Sequence, residues 1–180
     1  MRLSPVLHRS DFPVPELRAL VLDGEAYQVG DCIAPVDELA GPIQRAAALA
    51  AELPARLIAE QHSAAWVWGA QPHPPHRHEV CADITARARP AVGAPLSVRE
   101  VVLLHEDTSL LAGLSVTTPM RTAIDLARFV PLWDDTETDI VRALLSLAGV
   151  GVIECARVMN RKRNLPNKRI ALERLAASQS

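Results

Sequence analysis

Apolar positions recur along the chain first at helical spacing, then at strand spacing, then at helical spacing again. Pro15 has the fixed φ that suits a first helical position, and Leu17, Leu20 and Val21 follow at i, i+3 and i+4. Gly24 supplies the stop. Ala26–Val29 and Cys32–Ala34 then predict two short strands around a tight Gly30–Asp31 turn. A helix followed by a small hairpin is the recognition-helix-and-wing half of a winged helix-turn-helix.

A helical stretch comes next. Ile43, Ala46, Ala47 and Ala50 form one stripe behind Gly41–Pro42. Pro54 breaks that helix and is expected to open another through Leu57 and Ile58 to His62, with Ser63–Gly69 as a further short helix. Trp66 and Trp68 stand two apart and cannot share a helix face. One is expected in the core, the other at an interface or in a second core layer.

The middle of the chain reads as sheet. His78, Val80, Ala82 and Ile84 alternate with Arg77, Glu79, Cys81 and Asp83, the period of a half-buried strand. Pro90–Pro95 reads as a loop. Val101–Leu104 is apolar throughout and predicts a strand buried on both faces, and Leu114–Thr117 predicts a third. Thr118 then caps a helix with Pro119 at its first position and Met120, Ala123, Ile124 and Ala127 as its apolar stripe. Thr136 is expected to cap a helix carrying Ile140, Val141, Leu144 and Leu145, closed by Gly149. Val152–Arg163 and Pro166–Ala177 read as two more helices. The expected fold class is α+β. Residues 1–36 form a vestigial winged-helix element, and residues 37–180 form a mostly helical α/β domain with a small three-stranded sheet.

Composition fits that picture. At 180 residues, 49% hydrophobic and 22% charged, the chain is a soluble domain, or a small module plus a modest one. Aromatic residues are only 3%, so the core must be aliphatic. No apolar run approaches the roughly 18 residues of a membrane span. Met1–Pro5 leads straight to charged residues, unlike a signal peptide. Three widely spaced cysteines fit a reducing cytoplasm.

Charge is unevenly distributed. Residues 140–180 hold eight Lys+Arg against two Asp+Glu, a net of +6, although the whole chain is at −2. Such a tail predicts a contact surface for a polyanion or an acidic partner, against the plainer reading of a solvated or internally paired face.

Candidate chemistry is sparse. His73, His76, His78 and Cys81 fall within nine residues, but prolines place the first two in a loop, and alternation points His78 and Cys81 to opposite faces. No metal is expected. There is no GxSxG and no Gly-rich phosphate loop, so no cofactor is expected either. His105–Glu106–Asp107 reads as a solvated turn at a strand end. Both lysines, Lys162 and Lys168, fall far along the chain from the strands, where a nuclease would need one. The chain is therefore read as non-enzymatic. Arg121 and Asp125, four apart behind Thr118–Pro119, read as a structural clamp between helix and sheet.

The stretch Gly113-Leu-Ser-Val-Thr-Thr-Pro-Met-Arg-Thr-Ala-Ile-Asp-Leu-Ala-Arg128 resembles the strand-to-helix block of actinobacterial AbiEi-family proteins. Those are the antitoxin halves of type IV toxin–antitoxin systems and their orphan relatives. Ser63–Gly69, the strands near His76–Ile84 and Val101–His105, and the helix and hairpin of Leu17–Ile33 are similar in order. The resemblance implies a winged helix on operator DNA, an α/β domain, and a cognate nucleotidyltransferase-like toxin as partner. About fourteen residues precede the recognition-like helix, so the module reads as shortened. Residues 1–36 carry three Arg against five Asp+Glu. Contacts to double-stranded DNA are therefore expected from Arg9 and Arg18 together with Arg157, Arg161, Lys162, Arg163, Lys168 and Arg169. The alternative is a protein-interaction module that has lost DNA binding. An enzyme using the strand ends comes third.

Overall fold

The computed structural model describes residues 4–84, 96–162 and 164–178. The loop expected at Pro90–Pro95 and the basic residue Arg163 lie outside them.

Helix α1 runs over Val14–Leu22 and the hairpin strands are β1, Ala26–Val29, and β2, Cys32–Pro35. Gly24 and Gly30 both take positive φ, as the stop and the tight turn require. Leu7 adds a bridge beside the hairpin, exchanging two backbone hydrogen bonds with Ile33 at 2.8 and 3.1 Å. α1 buries only Leu17, leaving Phe12, Val14, Val21 and Leu22 exposed. Val29, Cys32 and Ala34 of the hairpin share one core with Ala46–Leu49 and Trp66. At Gly30 a Cβ would stand 3.2 Å from Cη2 of Trp66. The hairpin therefore rests on that indole through a residue without a side chain.

Helix α2 spans Pro42–Glu52, strand β3 is Ile58–Ala59, and α3 spans Gln61–Trp68. The helix expected through Leu57 and Ile58 is thus replaced by a strand. Two residues are too few to show alternation, and Pro54 ends α2 without opening another helix. Strands β4, His78–Asp83, β5, Leu96–Val101, β6, Thr108–Leu111, and β7, Leu114–Thr117, complete a five-stranded sheet of order β5-β4-β3-β7-β6. The three-stranded expectation is too small by the two-residue β3 and by β6, which returns to β7 through Ala112–Gly113, both at positive φ. β3 runs parallel to β7 and antiparallel to β4; β4 and β5 are parallel. The strand expected over Val101–Leu104 lies earlier, at Leu96–Val101, and Val102 and Leu104 are 69% and 48% exposed rather than buried on both faces.

β4 is covered on both sides, not half-buried. Val80 and Ala82 face the aliphatic core shared with α2, together with Leu96, Leu114 and Val116. The opposite face, carrying Glu79, Cys81 and, in register, Arg99, looks toward the helices that follow. Those are α4, Pro119–Phe129, α5, Asp135–Ala148, α6, Val152–Arg161, and α7, Lys168–Ala177. They build a second core from Ala123, Leu126, Ala127, Val141, Leu144, Met159, Ala171 and Leu175. The cap of α5 is Asp134, accepting from Glu137 N at 3.0 Å, rather than Thr136. Trp66 is core, and Trp68 bridges the two cores, its indole N–H donating to Thr117 O at 2.8 Å. No helix among the described residues is long and apolar enough to cross a membrane.

Candidate functional site

The N-terminus of α4 is fixed three ways. Thr118 Oγ1 accepts from Arg121 N at 3.4 Å, Pro119 occupies the first turn, and Thr122 Oγ1 donates to Thr118 O at 2.9 Å. Thr122 also shares a hydroxyl contact of 2.7 Å with Thr117, which is fully buried. This sets the rotation of α4 so that Arg121, Asp125 and Arg128 lie on one buried face.

Asp125, 1% exposed, is the hub. Its Oδ2 accepts from Arg121 Nε at 2.8 Å and its Oδ1 from Arg128 Nη1 at 2.8 Å; Arg99 Nη2 stands 3.9 Å away. Arg121 Nη1 donates to Asp107 Oδ2 at 2.6 Å, and the same oxygen accepts from Leu104 N at 3.1 Å. Asp107 is therefore buried in an ion network, not set in a solvated turn. Arg99 donates from Nε and Nη2 to the two carboxylate oxygens of Glu60 at 2.7 and 2.6 Å, a fork-to-fork pair, and Glu60 is 1% exposed. Gln61, next to it, holds a positive φ of 47°, and its side-chain amide lies 3.2 Å from the Arg99 guanidinium. A buried non-glycine residue in that region is strained, and such strain gathers at positions the surroundings dictate. Arg99 and Arg128 both lie over the ring of Phe129, at 4.2 and 4.4 Å from its centroid.

Lys162 completes the cluster at 4.0 Å from Asp107 Oδ2. The expectation that both lysines sit away from the strands fails here. The turn after α6 folds back over α4, held by Arg128 Nε donating to Pro166 O at 2.9 Å and Asn167 donating to Arg128 O at 3.0 Å. Cys81 borders the network, but burial, then the charge of Glu60, push its thiol well above the ordinary range. It is a fully buried, packed thiol.

A half-buried histidine ties α3 to β4 and α5. His62 Nδ1 meets Glu79 at 2.8 Å and Nε2 meets Glu137 at 2.9 Å. Burial alone would lower its pKa. The hydrogen bonds to Glu137 and Glu79, with their negative charge, outweigh that and carry it up to about 10. His62 is therefore an imidazolium donating from both nitrogens. Glu79 is held below the usual carboxylate range; its own burial opposes this, and the bonds from His62 prevail.

Two cavities flank these elements. One, about 640 Å³, opens beside the ion network between β5, α4 and α6. The other, about 580 Å³, lies between the hairpin and α2 and is lined in part by His73, His76 and His78. His78 meets Ser63 Oγ at 3.2 Å and stands 3.8 Å from Glu52, and burial holds its pKa below the ordinary imidazole value. Cys81 faces the other side of the sheet.

The basic residues expected to meet DNA are dispersed. Arg9 is exposed ahead of α1 and Arg18 is exposed on it. Arg157 pairs with Glu154 at 3.2 Å and Arg169 with Glu173 at 2.9 Å, and both pairs are exposed. Lys168 Nζ donates to Asn160 O and Lys162 O at 3.3 and 3.4 Å, closing the end of α6. Arg161 is exposed at the end of α6, while Lys162, 39% exposed, reaches toward Asp107.

A sequence model of the AbiEi antitoxin C-terminal domain matches residues 55–151, more than half of the chain. The chain belongs to the AbiEi antitoxin family. The matched region of this antitoxin runs from just before β3 to the end of α5. It contains Glu60, Arg99, Asp107, Arg121, Asp125 and Arg128, whereas α1, the hairpin, α6 and α7 fall outside it. Among solved structures, the RV2827C protein from Mycobacterium tuberculosis aligns with 96% of this chain and 75% of its own at 18% identity, with a TM-score of 0.36. No curated protein matches.

Sequence reasoning about this AbiEi-family chain points to Arg121 and Asp125 but misses Glu60, Arg99, Asp107 and Arg128. Arg128 has a local signal: it stands three residues beyond Asp125 on the face of Arg121. Arg99 lies in a strand that the sequence places later, at Val101–Leu104, so its face is not legible. Glu60 and Asp107 meet the network only through long-range contacts, so nothing local marks them.

Proposed function

We propose that this chain is a non-enzymatic, cytoplasmic antitoxin that opposes a cognate nucleotidyltransferase-like toxin and represses its own promoter by binding operator DNA. The observation that carries the reading is the antitoxin domain at residues 55–151, preceded by a helix and hairpin with Arg18 exposed on the helix. Its ion network supplies a rigid body for partner contact rather than chemistry, since each arginine in it is held by a carboxylate. Two assays test the reading. Co-expression should relieve growth arrest by the neighbouring toxin gene. Duplex from the upstream region should be shifted in preference to random duplex, with affinity falling steeply as salt rises. Failure of both sinks it.

One observation favours the interaction-module alternative. Leu22 is 85% exposed and Leu39 91%, with Phe12, Val14 and Val21 also exposed in an acidic module. An apolar, acidic surface suits a protein better than a phosphate backbone. Rescue from the toxin without any shift of DNA would assign the chain to that reading.

A further inference from the structure

We propose that the cavity of about 640 Å³ between β5, α4 and α6 is a binding site for a small amphipathic anion, a single compact oxyanion head on an apolar body. The inference is independent of the antitoxin reading. No sequence feature and no family match assigns a ligand here.

The size fits. Small-molecule sites typically enclose about 300–1,000 Å³, lined mostly by apolar side chains with a few convergent polar groups. Here Met120, Ile124, Val158 and Leu165 form the apolar wall. Val102 and Leu104 keep apolar surface exposed at the same cavity. Isolated exposed leucines and valines are common, but these gather on one concavity.

The charge fits an anion. Arg99, Arg121, Arg128 and Lys162 meet around three buried carboxylates, Glu60, Asp107 and Asp125. Each arginine makes hydrogen bonds shorter than 3 Å to at least one of them. Among the described residues, the Lys162 ammonium has one carboxylate partner, at 4.0 Å, an Asp107 oxygen that already accepts from Arg121 and Leu104. Among the described residues, these four cations and three carboxylates leave one positive charge in excess, and Lys162 is the most exposed of the four cationic side chains, at 39%. Glu100 also borders the cavity, but it follows Arg99 in the strand, so its side chain projects to the opposite face of β5.

The site is also built. The strained Gln61, the fork-to-fork Glu60–Arg99 pair and the two guanidinium groups over Phe129 hold the polar wall in one arrangement. A preformed wall of that kind loses little freedom when a ligand arrives. An oxyanion placed beside Lys162 would receive a charge-assisted hydrogen bond, and its apolar body would cover Met120 and Val158.

The test uses the full-length protein and 8-anilinonaphthalene-1-sulfonate, a fluorescent amphipathic anion. Saturable binding with one site per chain is expected. Octanoate and octyl phosphate should displace the probe, which distinguishes the two head chemistries by their relative strength. Octanol and inorganic phosphate should not displace it, since each lacks half of the required chemistry. Lys162→Gln should weaken binding by about 10-fold without lowering the melting temperature, because the substitution removes one charged hydrogen bond at a partly open position. Val158→Trp, which fills the cavity, should abolish binding. Absence of saturable binding, equal displacement by octanol, or unchanged affinity in both variants would each overturn the proposal. So would displacement of the probe by duplex DNA as effective as that by octanoate, which would give Lys162 to a nucleic acid.

Discussion

Arg121 Nη1 donates to Asp107 Oδ2 at 2.6 Å across 14 residues of sequence. That bond fastens the turn before β6 to the first turn of α4. Through Asp125 it continues to Arg128 and on to the chain beyond α6. One face of the sheet is therefore joined to the C-terminal helices by charge, while the other is joined to α2 by aliphatic packing.

Asp125 is the member of this network whose loss should cost most. Asp125→Ala leaves Arg121 and Arg128 buried without their shared carboxylate. Breaking a buried pair in this way costs about 3–5 kcal/mol. Urea unfolding should show the midpoint fall accordingly. A loss below about 1 kcal/mol would mean that water or Glu60 replaces the carboxylate, an outcome expected only of exposed pairs.

His62 should make stability depend on alkaline pH. Its folded pKa of about 10 lies above the ordinary value of 6.5. The charged form is thus favoured by folding, and its contribution is complete below about pH 6.5 and lost as pH climbs toward 10. The melting temperature of the wild type should fall across that interval. His62→Gln should melt lower near neutrality and show a flatter alkaline limb. Parallel profiles for the two proteins would contradict the charged state of His62.

A side chain at Gly30 should be destabilising. Its φ is +57°, and a Cβ would stand 3.2 Å from the Trp66 ring. Gly30→Ala should cost roughly 1–2 kcal/mol from backbone strain alone, before any displacement of the indole. Tryptophan fluorescence in the native state should change as well, since Trp66 is only 3% exposed. An unaltered spectrum with unaltered stability would show that the hairpin does not seat on Trp66.

The exposed cations of α6 and α7 separate DNA binding from simple solvation. Replacing Arg157, Arg161 and Arg169 together with Gln should leave melting nearly unchanged, since exposed pairs such as Arg157–Glu154 and Arg169–Glu173 contribute about 0–1 kcal/mol each. If these residues meet phosphates, the slope of log affinity against log salt should shrink by about one for each phosphate they neutralise. An unchanged slope would leave them as a solvated face.

Local chemistry alone determined several elements of this chain. Thr118–Pro119 set the start of α4, Gly30–Asp31 set the hairpin turn, and Gly149 closed α5, because caps and positive-φ turns depend on residues within one turn of each other. Asp134, two residues before the expected Thr136, shows how such signals slip when acidic and hydroxyl residues adjoin. The two-residue β3 was illegible, since its strand state comes from hydrogen bonds to β4 and β7 that only the assembled sheet provides. The ion network was half legible. Arg121 and Asp125 announce themselves by helical spacing. Glu60, Arg99 and Asp107 come from the end of β3, from β5 and from the turn before β6, and they reach one carboxylate-and-guanidinium cluster only when the sheet folds over α4. Tertiary structure likewise turned Lys162 from one more cation in a basic tail into the outermost charge beside a cavity. Periodicity reports which face of an element is buried; which charges meet there is decided by strand order, because the Coulombic partners are distant in sequence and near only in space.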